Sequence, residues 1–203
     1  MKTFIRMLIM KLSRTFFIFS AILFSCTQAE SSYRQDASTP SSIDTPAQKV
    51  LKSTDDNGQS ITRINTGKIT PSQLVAYART LTGIPYKYGS TDPQQGFDCS
   101  GFITYTFNHF KIAVPRSSVD FTNVEHEIPL KEAKPGDFVL FTGTDSTKKV
   151  VGHMGILLTS AAEGHQFIHS TSGKAYGVTE TPLNPYYQGR YMKTIRVFPQ
   201  NDL

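Results

Sequence analysis

Polar and apolar residues along this 203-residue chain fall into three successive textures. From Phe16 to Phe24 the chain is almost uninterruptedly apolar, after an N-terminal stretch that carries Lys2, Arg6, Lys11 and Arg14 and no acid before Glu30. A basic stretch, a short apolar run and then small residues form the pattern of a secretory signal. The run is about half of the ~20 residues a transmembrane helix needs, so a permanent span is not expected. From Thr27 to about Lys68 the chain is rich in Ser, Thr, Asp, Gln and Pro, and neither a helical nor a strand period survives. That composition predicts a disordered tether, since it offers too little apolar surface to offset the entropy of ordering.

The third texture, residues 69–203, is periodic. Thr70-Pro71-Ser72-Gln73 is a capping box with proline in the first helical position, and Leu74, Val75, Ala78 and Leu81 then share one helical face before Gly83. Asp98 suits the N-cap of a second helix starting at Cys99, with Phe102, Ile103, Phe107 and Phe110 at the 3.6-residue spacing. A short helix is expected after Ser117. Strand-like runs follow at residues 138–141, 153–159, 166–170 and 193–198, set off by turn residues such as Lys134-Pro135-Gly136-Asp137 and Ala162-Glu163-Gly164. Helices first and strands afterwards predict an α+β domain with helices packed on one side of an antiparallel sheet.

Composition and charge narrow the function. A hydrophobic content of 38% is enough for one core. The net charge of +5 suggests a basic protein, but four of the 21 Lys and Arg residues lie in the leader and none of the 16 acids do. The remainder is close to neutral and lacks the footprint of a nucleic-acid binder. The five histidines are scattered and no CxxC or HExxH spacing exists, so no metal site is expected.

Cysteine usage points to chemistry. Leu23-Phe24-Ser25-Cys26 resembles the lipobox of bacterial lipoproteins, which makes residues 1–25 a lipoprotein signal peptide, Cys26 the lipidated first residue and 26–68 the tether. An ordinary signal cut near Ala29 is the alternative. Cys99 is then the one thiol of an exported domain, in a compartment where structural cysteines are normally paired. In Phe97-Asp98-Cys99-Ser100-Gly101 it stands in the first turn of a helix, whose unpaired amides and dipole favour a thiolate. The same amides can stabilise an oxyanion, and Gly101 permits close approach to the turn.

A cysteine nucleophile needs a base, and His153 opens the apolar strand Gly152-His153-Met154-Gly155-Ile156. If the following hairpin turns near Ala161 and Ala162, His169 lies opposite His153 and can orient its ring. His165 shares that face but lies nearer the turn. His109, in the second helix, and His126, in a polar loop, carry no expected role.

Together, Pro85-Tyr86-Lys87-Tyr88-Gly89-Ser90, Phe97-Asp98-Cys99-Ser100-Gly101-Phe102, Val114-Pro115-Arg116-Ser117, Lys134-Pro135-Gly136-Asp137-Phe138-Val139, Gly152-His153-Met154-Gly155-Ile156 and Phe167-Ile168-His169-Ser170 resemble the NlpC/P60 family of cell-wall cysteine peptidases. The resemblance spans roughly residues 70 to 200 and implies a papain-like fold with a Cys-His-His triad on Cys99, His153 and His169. It places Tyr86 by the nucleophile, and Tyr86, Asp98 and Ser100 are the expected substrate-binding residues. It implies hydrolysis of an amide in peptidoglycan stem peptides, between γ-D-glutamyl and the diamino acid at the third position, by a mechanism that needs no metal or organic cofactor. Another cysteine-dependent amidase or acyltransferase, or an inactive wall-binding module, is the alternative. The expected location is the cell envelope, on a bacterial membrane through the N-terminal lipid.

Overall fold

A computed structural model describes residues 59–203; the expected signal segment, Cys26 and the expected tether as far as residue 58 lie outside the described residues. Helix α1 (Pro71–Thr80) begins at the expected capping box. Thr70 Oγ1 accepts from the Gln73 amide at 3.3 Å and Gln73 Oε1 accepts from the Thr70 amide at 2.9 Å, which satisfies donors the helix cannot. Helix α2 (Cys99–His109) is capped by Asp98, whose Oδ1 accepts from the Gly101 amide at 2.6 Å. Phe102, Ile103 and Phe107 on its inner face have no exposed surface.

The strands are β1 (Thr91–Asp92) and β2 (Gly96–Phe97), which form a small hairpin, then β3 (His126–Ile128), β4 (Phe138–Thr142), β5 (Val151–Leu157), β6 (Gln166–Thr171), β7 (Gly177–Pro182) and β8 (Tyr191–Arg196). The last six form one antiparallel sheet in the order β3-β8-β4-β5-β6-β7. Alternation along each strand divides its residues between two faces. Met154, Ile156 and Ile168 join Leu74, Phe102 and Phe107 in the main core under α1 and α2, as an α+β layering requires. Val139, Phe141, Leu157 and Phe167 face the other way into a smaller core, closed by Leu183 and by Tyr187 of the short helix α3 (Pro185–Gln188). The second face is therefore covered as well, by a layer the hydrophobic pattern did not foretell.

Three expectations change. The loop assigned to His126 is the short edge strand β3, and β7 was not anticipated because its second half is polar and only partly covered. The end of the expected tether also belongs to the domain. Ile64 and Thr66 are buried, Ile61 packs against the main core, and the Ile64 amide donates to the Glu125 carboxylate while the Glu125 amide donates to the Thr62 carbonyl at 2.8 Å. Two isoleucines three residues apart set no period, and their docking depends on Glu125, 61 positions on from Ile64, which holds a φ of 56°.

Deep in the sheet's lower rim, Arg196 and Asp137 form a closed charge pair. The Asp137 carboxylate is fully buried and accepts from Arg196 Nη2 at 3.0 Å, Asn201 Nδ2 at 3.0 Å and the Lys134 amide at 2.9 Å. It joins the turn before β4 to β8 and to the C-terminal residues, so the Lys134-Pro135-Gly136-Asp137 motif acts as scaffold.

Candidate active site

Cys99 opens α2, and α2 packs across β5 and β6, so the helix start comes to the edge of the strands that carry the two histidines. Gly101 is required there: a Cβ would come within 2.0 Å of the Ser90 carbonyl oxygen. Asp98 is committed on every side. Beyond its cap to Gly101, it takes the Arg116 guanidinium in a two-pronged pair at 3.0 and 2.8 Å, and the Gly89 amide at 2.9 Å. Ser100 is buried, bonding to Asp98 at 3.3 Å and receiving Arg116 Nη1 at 3.0 Å. The two expected substrate-binding residues Asp98 and Ser100 thus bond first to each other and to Arg116, while still lining the cleft beside Cys99. Tyr86 is half-buried over Cys99 and leans on Tyr176 with ring centres 5.9 Å apart.

His153 and His169 meet directly, Nε2 to Nδ1, at 2.7 Å. The hairpin reaches this contact in a different register from the one expected. Ile156 pairs with Ile168 and Leu157 with Phe167, so the turn is centred one residue later and Gly155, rather than His153, lies across from His169. A shift of one residue at the turn moves the partner by two, which keeps the same face. Gly155 then leaves the room the two rings occupy, since a Cβ there would press on Phe167 at 2.6 Å and on His169 Cβ at 3.2 Å. Just before His153 the β4 to β5 register slips, Phe141 pairing with His153 and Thr142 with Val151, so Gly152 is a bulge residue at the rim of the site.

A third partner was not visible in the sequence: Thr181 Oγ1 stands 3.0 Å from His169 Nε2. If Thr181 accepts from His169, then His169 Nδ1 accepts from His153 Nε2, and the unprotonated nitrogen of His153 is Nδ1, the form a base requires. Tyr187 completes the shell, edge-on to the His169 ring with centres 5.4 Å apart and roughly parallel to His153 at 6.3 Å. His165 remains by the turn against the Thr159 carbonyl at 3.3 Å, and His126 is exposed near Asp202. His109 stacks on Tyr77, away from the site. Among the described residues no three His, Cys, Asp or Glu side chains gather in a way that could hold a metal ion.

The electrostatics set burial against the helix-start stabilisation of a thiolate. Burial, and then the neighbouring Asp98 carboxylate, push the Cys99 thiol up to about 11, against opposing hydrogen bonds from the amides of Ser100, Cys99 and Met154. Burial, with the Arg190 guanidinium second, brings His153 down to about 3, and His169 is likewise held well below the ordinary imidazole range. Helix-end stabilisation is present but smaller than desolvation. Both shifts favour the neutral forms, a thiol on Cys99 and an uncharged imidazole on His153.

Two cavities meet at the sulfur. A cleft of about 900 Å³ is lined by Tyr88, Ser90, Asp98, Ser100 and Arg116, and a smaller cavity of about 270 Å³ by His153, Thr144, Ser172, Tyr187 and Arg190. Tyr86, Cys99 and Gly152 line both. An extended substrate crossing Cys99 would place one side of its scissile bond in each.

Comparison with known proteins agrees with this arrangement. The model of the NlpC/P60 family matches residues 83–196. A Bacillus subtilis gamma-DL-glutamyl hydrolase is 34% identical over 124 residues, 61% of this chain and 29% of that protein. The probable peptidoglycan endopeptidase LytE of Bacillus subtilis is 37% identical over 122 residues, covering 60% and 33%. The Escherichia coli K12 protein named murein DD-endopeptidase MepS/murein LD-carboxypeptidase is 29% identical over 121 residues, 59% of this chain and 58% of that one. The match therefore spans about a third of the two Bacillus relatives and under two thirds of the third. Among solved structures, an NlpC/P60 family protein from Bacillus cereus superposes with a TM-score of 0.57 at 27% identity, over 66% of this chain and 42% of that one. The family match covers more than half of the chain and includes Cys99, His153 and His169, so the chain belongs to the NlpC/P60 family.

Proposed function

We propose that this chain is a cysteine endopeptidase that hydrolyses an amide in peptidoglycan stem peptides, between the γ-D-glutamyl residue and the diamino acid at position three. The observation that carries the reading is the relay of His153, His169 and Thr181, with Cys99 lining the same cavity as His153 and also the cleft beside it. The Bacillus relative named for γ-DL-glutamyl hydrolysis supports the choice of bond.

The chemistry starts from the neutral forms of Cys99 and His153. As Cys99 Sγ attacks the carbonyl, its proton passes to His153 Nδ1, and Nε2–H of the resulting imidazolium is held by His169. The amides of Gly101 and Phe102 are already taken by Asp98, which leaves those of Cys99 and Ser100 to face the oxyanion. His153 then gives its proton to the leaving amine, and water deprotonated by the same ring releases the acyl group from sulfur. Thr181 and His169 fix the tautomer, as the third group of a serine triad does.

Digestion of purified peptidoglycan fragments followed by mass spectrometry tests the bond. A new amine on the third residue, with no new reducing sugar ends, is the expected result; a free lactyl carboxylate on the sugar would mean an amidase instead. We also propose that the chain is exported and held on a bacterial membrane through lipid on Cys26, on the strength of the leader pattern alone. Cys26→Ser should move the protein out of the membrane fraction, and unchanged fractionation would sink that proposal.

A further inference from the structure

Three arginines of the domain are largely enclosed, and they differ in how their charge is answered. Arg196 is paired with Asp137 and Asp202, and Arg116 with Asp98. Arg190 is 8% exposed and has only neutral partners among the described residues. Its Nη1 donates to the Tyr186 hydroxyl at 2.8 Å and its Nη2 to the Thr142 carbonyl at 2.8 Å. The rings of Tyr186 and Tyr187 lie 5.1 and 5.9 Å from the guanidinium carbon, and Nε is enclosed without any partner.

A guanidinium removed from water without a counter-charge is among the least favourable groups a fold can hold, and an unanswered buried donor adds to that cost. The cavity it borders is not apolar. Thr144, Thr171 and Ser172 supply hydroxyls, and Gly143 and Gly173 bring backbone close to the space. Cys99 and His153 line the same cavity, whereas Asp98, Ser100 and Arg116 line the other. Since His153 must reach the departing amine, this cavity is on the leaving-group side.

We propose that Arg190 anchors a carboxylate carried by the residue whose amine departs, so that the smaller cavity is an anion-recognising subsite for a diamino acid. The inference rests on the reading of Cys99 and His153 as the hydrolytic pair. The carboxylate is either that residue's own α-carboxylate, when it ends the peptide, or a second one on its side chain. A bound carboxylate also offsets the positive charge that helps depress His153, so the base strengthens as the substrate seats.

The test uses the purified full chain and four synthetic peptides of the form alanyl-γ-D-glutamyl-diamino acid. One has both carboxylates of the third residue unblocked, one has the α-carboxylate amidated, one the side-chain carboxylate amidated, and one both. Amidating the recognised group should lower kcat/KM by about 10- to 100-fold, the worth of a charge-assisted two-pronged bond. Arg190→Gln should erase that discrimination, leaving the four peptides with similar kcat/KM, and Arg190→Lys should restore part of it. Equal kcat/KM for all four peptides in the wild-type enzyme overturns the proposal without any variant. A loss in Arg190→Gln that is the same for all four, or that follows its loss of folded structure while the wild type does not discriminate, overturns it too. If the wild type cuts none of the four, the peptidase reading itself fails, which is a different result.

Discussion

The two cavities that meet at Cys99 treat charge in opposite ways. In the larger one, Asp98 is answered by Arg116, Ser100 and two backbone amides, so the polar side chains form a closed frame around the helix start. In the smaller one, neutral imidazoles stand beside an arginine whose partners are all uncharged. The difference separates scaffold from working surface. A network that satisfies itself fixes a shape, and groups left in a costly state are those that gain when a ligand arrives.

The comparison breaks most completely at the sulfur. Cys99→Ala and His153→Ala should each lower kcat on soluble muropeptides by more than about 10³-fold. Cys99→Ala should leave the thermal midpoint within a few degrees, because it removes a single sulfur atom from a residue that keeps some exposed surface at the start of α2. A collapse of stability in Cys99→Ala would mean the thiol serves as core.

Opening the closed frame should cost stability before chemistry. Asp98→Asn removes the negative charge that answers a partly covered arginine and weakens the cap of α2, for about 2–4 kcal/mol in denaturant unfolding. A variant as stable as wild type would show that the frame is ornamental to folding.

The N-terminal strap offers a smaller effect. A chain beginning at Lys68 lacks Ile61, Ile64 and Thr66, and should unfold about 1–3 kcal/mol more easily, by the apolar area it no longer covers. Unchanged unfolding would return those residues to the tether.

On the imidazole side, Thr181→Val leaves His169 Nε2 without its acceptor and should slow turnover by about 3- to 10-fold at unchanged KM, with Thr181→Ser close to wild type. An unaffected rate would remove Thr181 from the array. The same side sets the pH dependence. Both histidines titrate lower in the folded than in the unfolded chain, so the unfolded state binds more protons below about 6.5, and stability falls as pH drops toward 3. The urea midpoint should therefore decline from pH 7 to pH 4.5, and decline less in His153→Asn/His169→Asn.

What could be read in advance was local. Thr70 with Gln73 and Asp98 before Cys99 announce helix starts because a cap is a short-range bond. The face shared by His153 and His169 followed from strand parity, but their register did not. The turn contains its own helical segment, Ala161–Glu163, which shifts the centre of the hairpin by one residue. Thr181 and Arg190 were invisible because β7 has no strong apolar alternation and because the value of a charge depends on what encloses it. The upward push on the Cys99 thiol was hidden for the same reason: a helix end is written in the sequence, and the desolvation that opposes it is not.

The most direct test is to catch the acyl group on the sulfur. Wild-type enzyme mixed with an alanyl-γ-D-glutamyl-diamino acid peptide and quenched in acid within one turnover should carry the alanyl-glutamyl mass on Cys99, read by mass spectrometry of its proteolytic fragments. An unmodified Cys99 at full turnover, with activity persisting in Cys99→Ala, would contradict the nucleophile; an adduct that retains the third residue would contradict the bond.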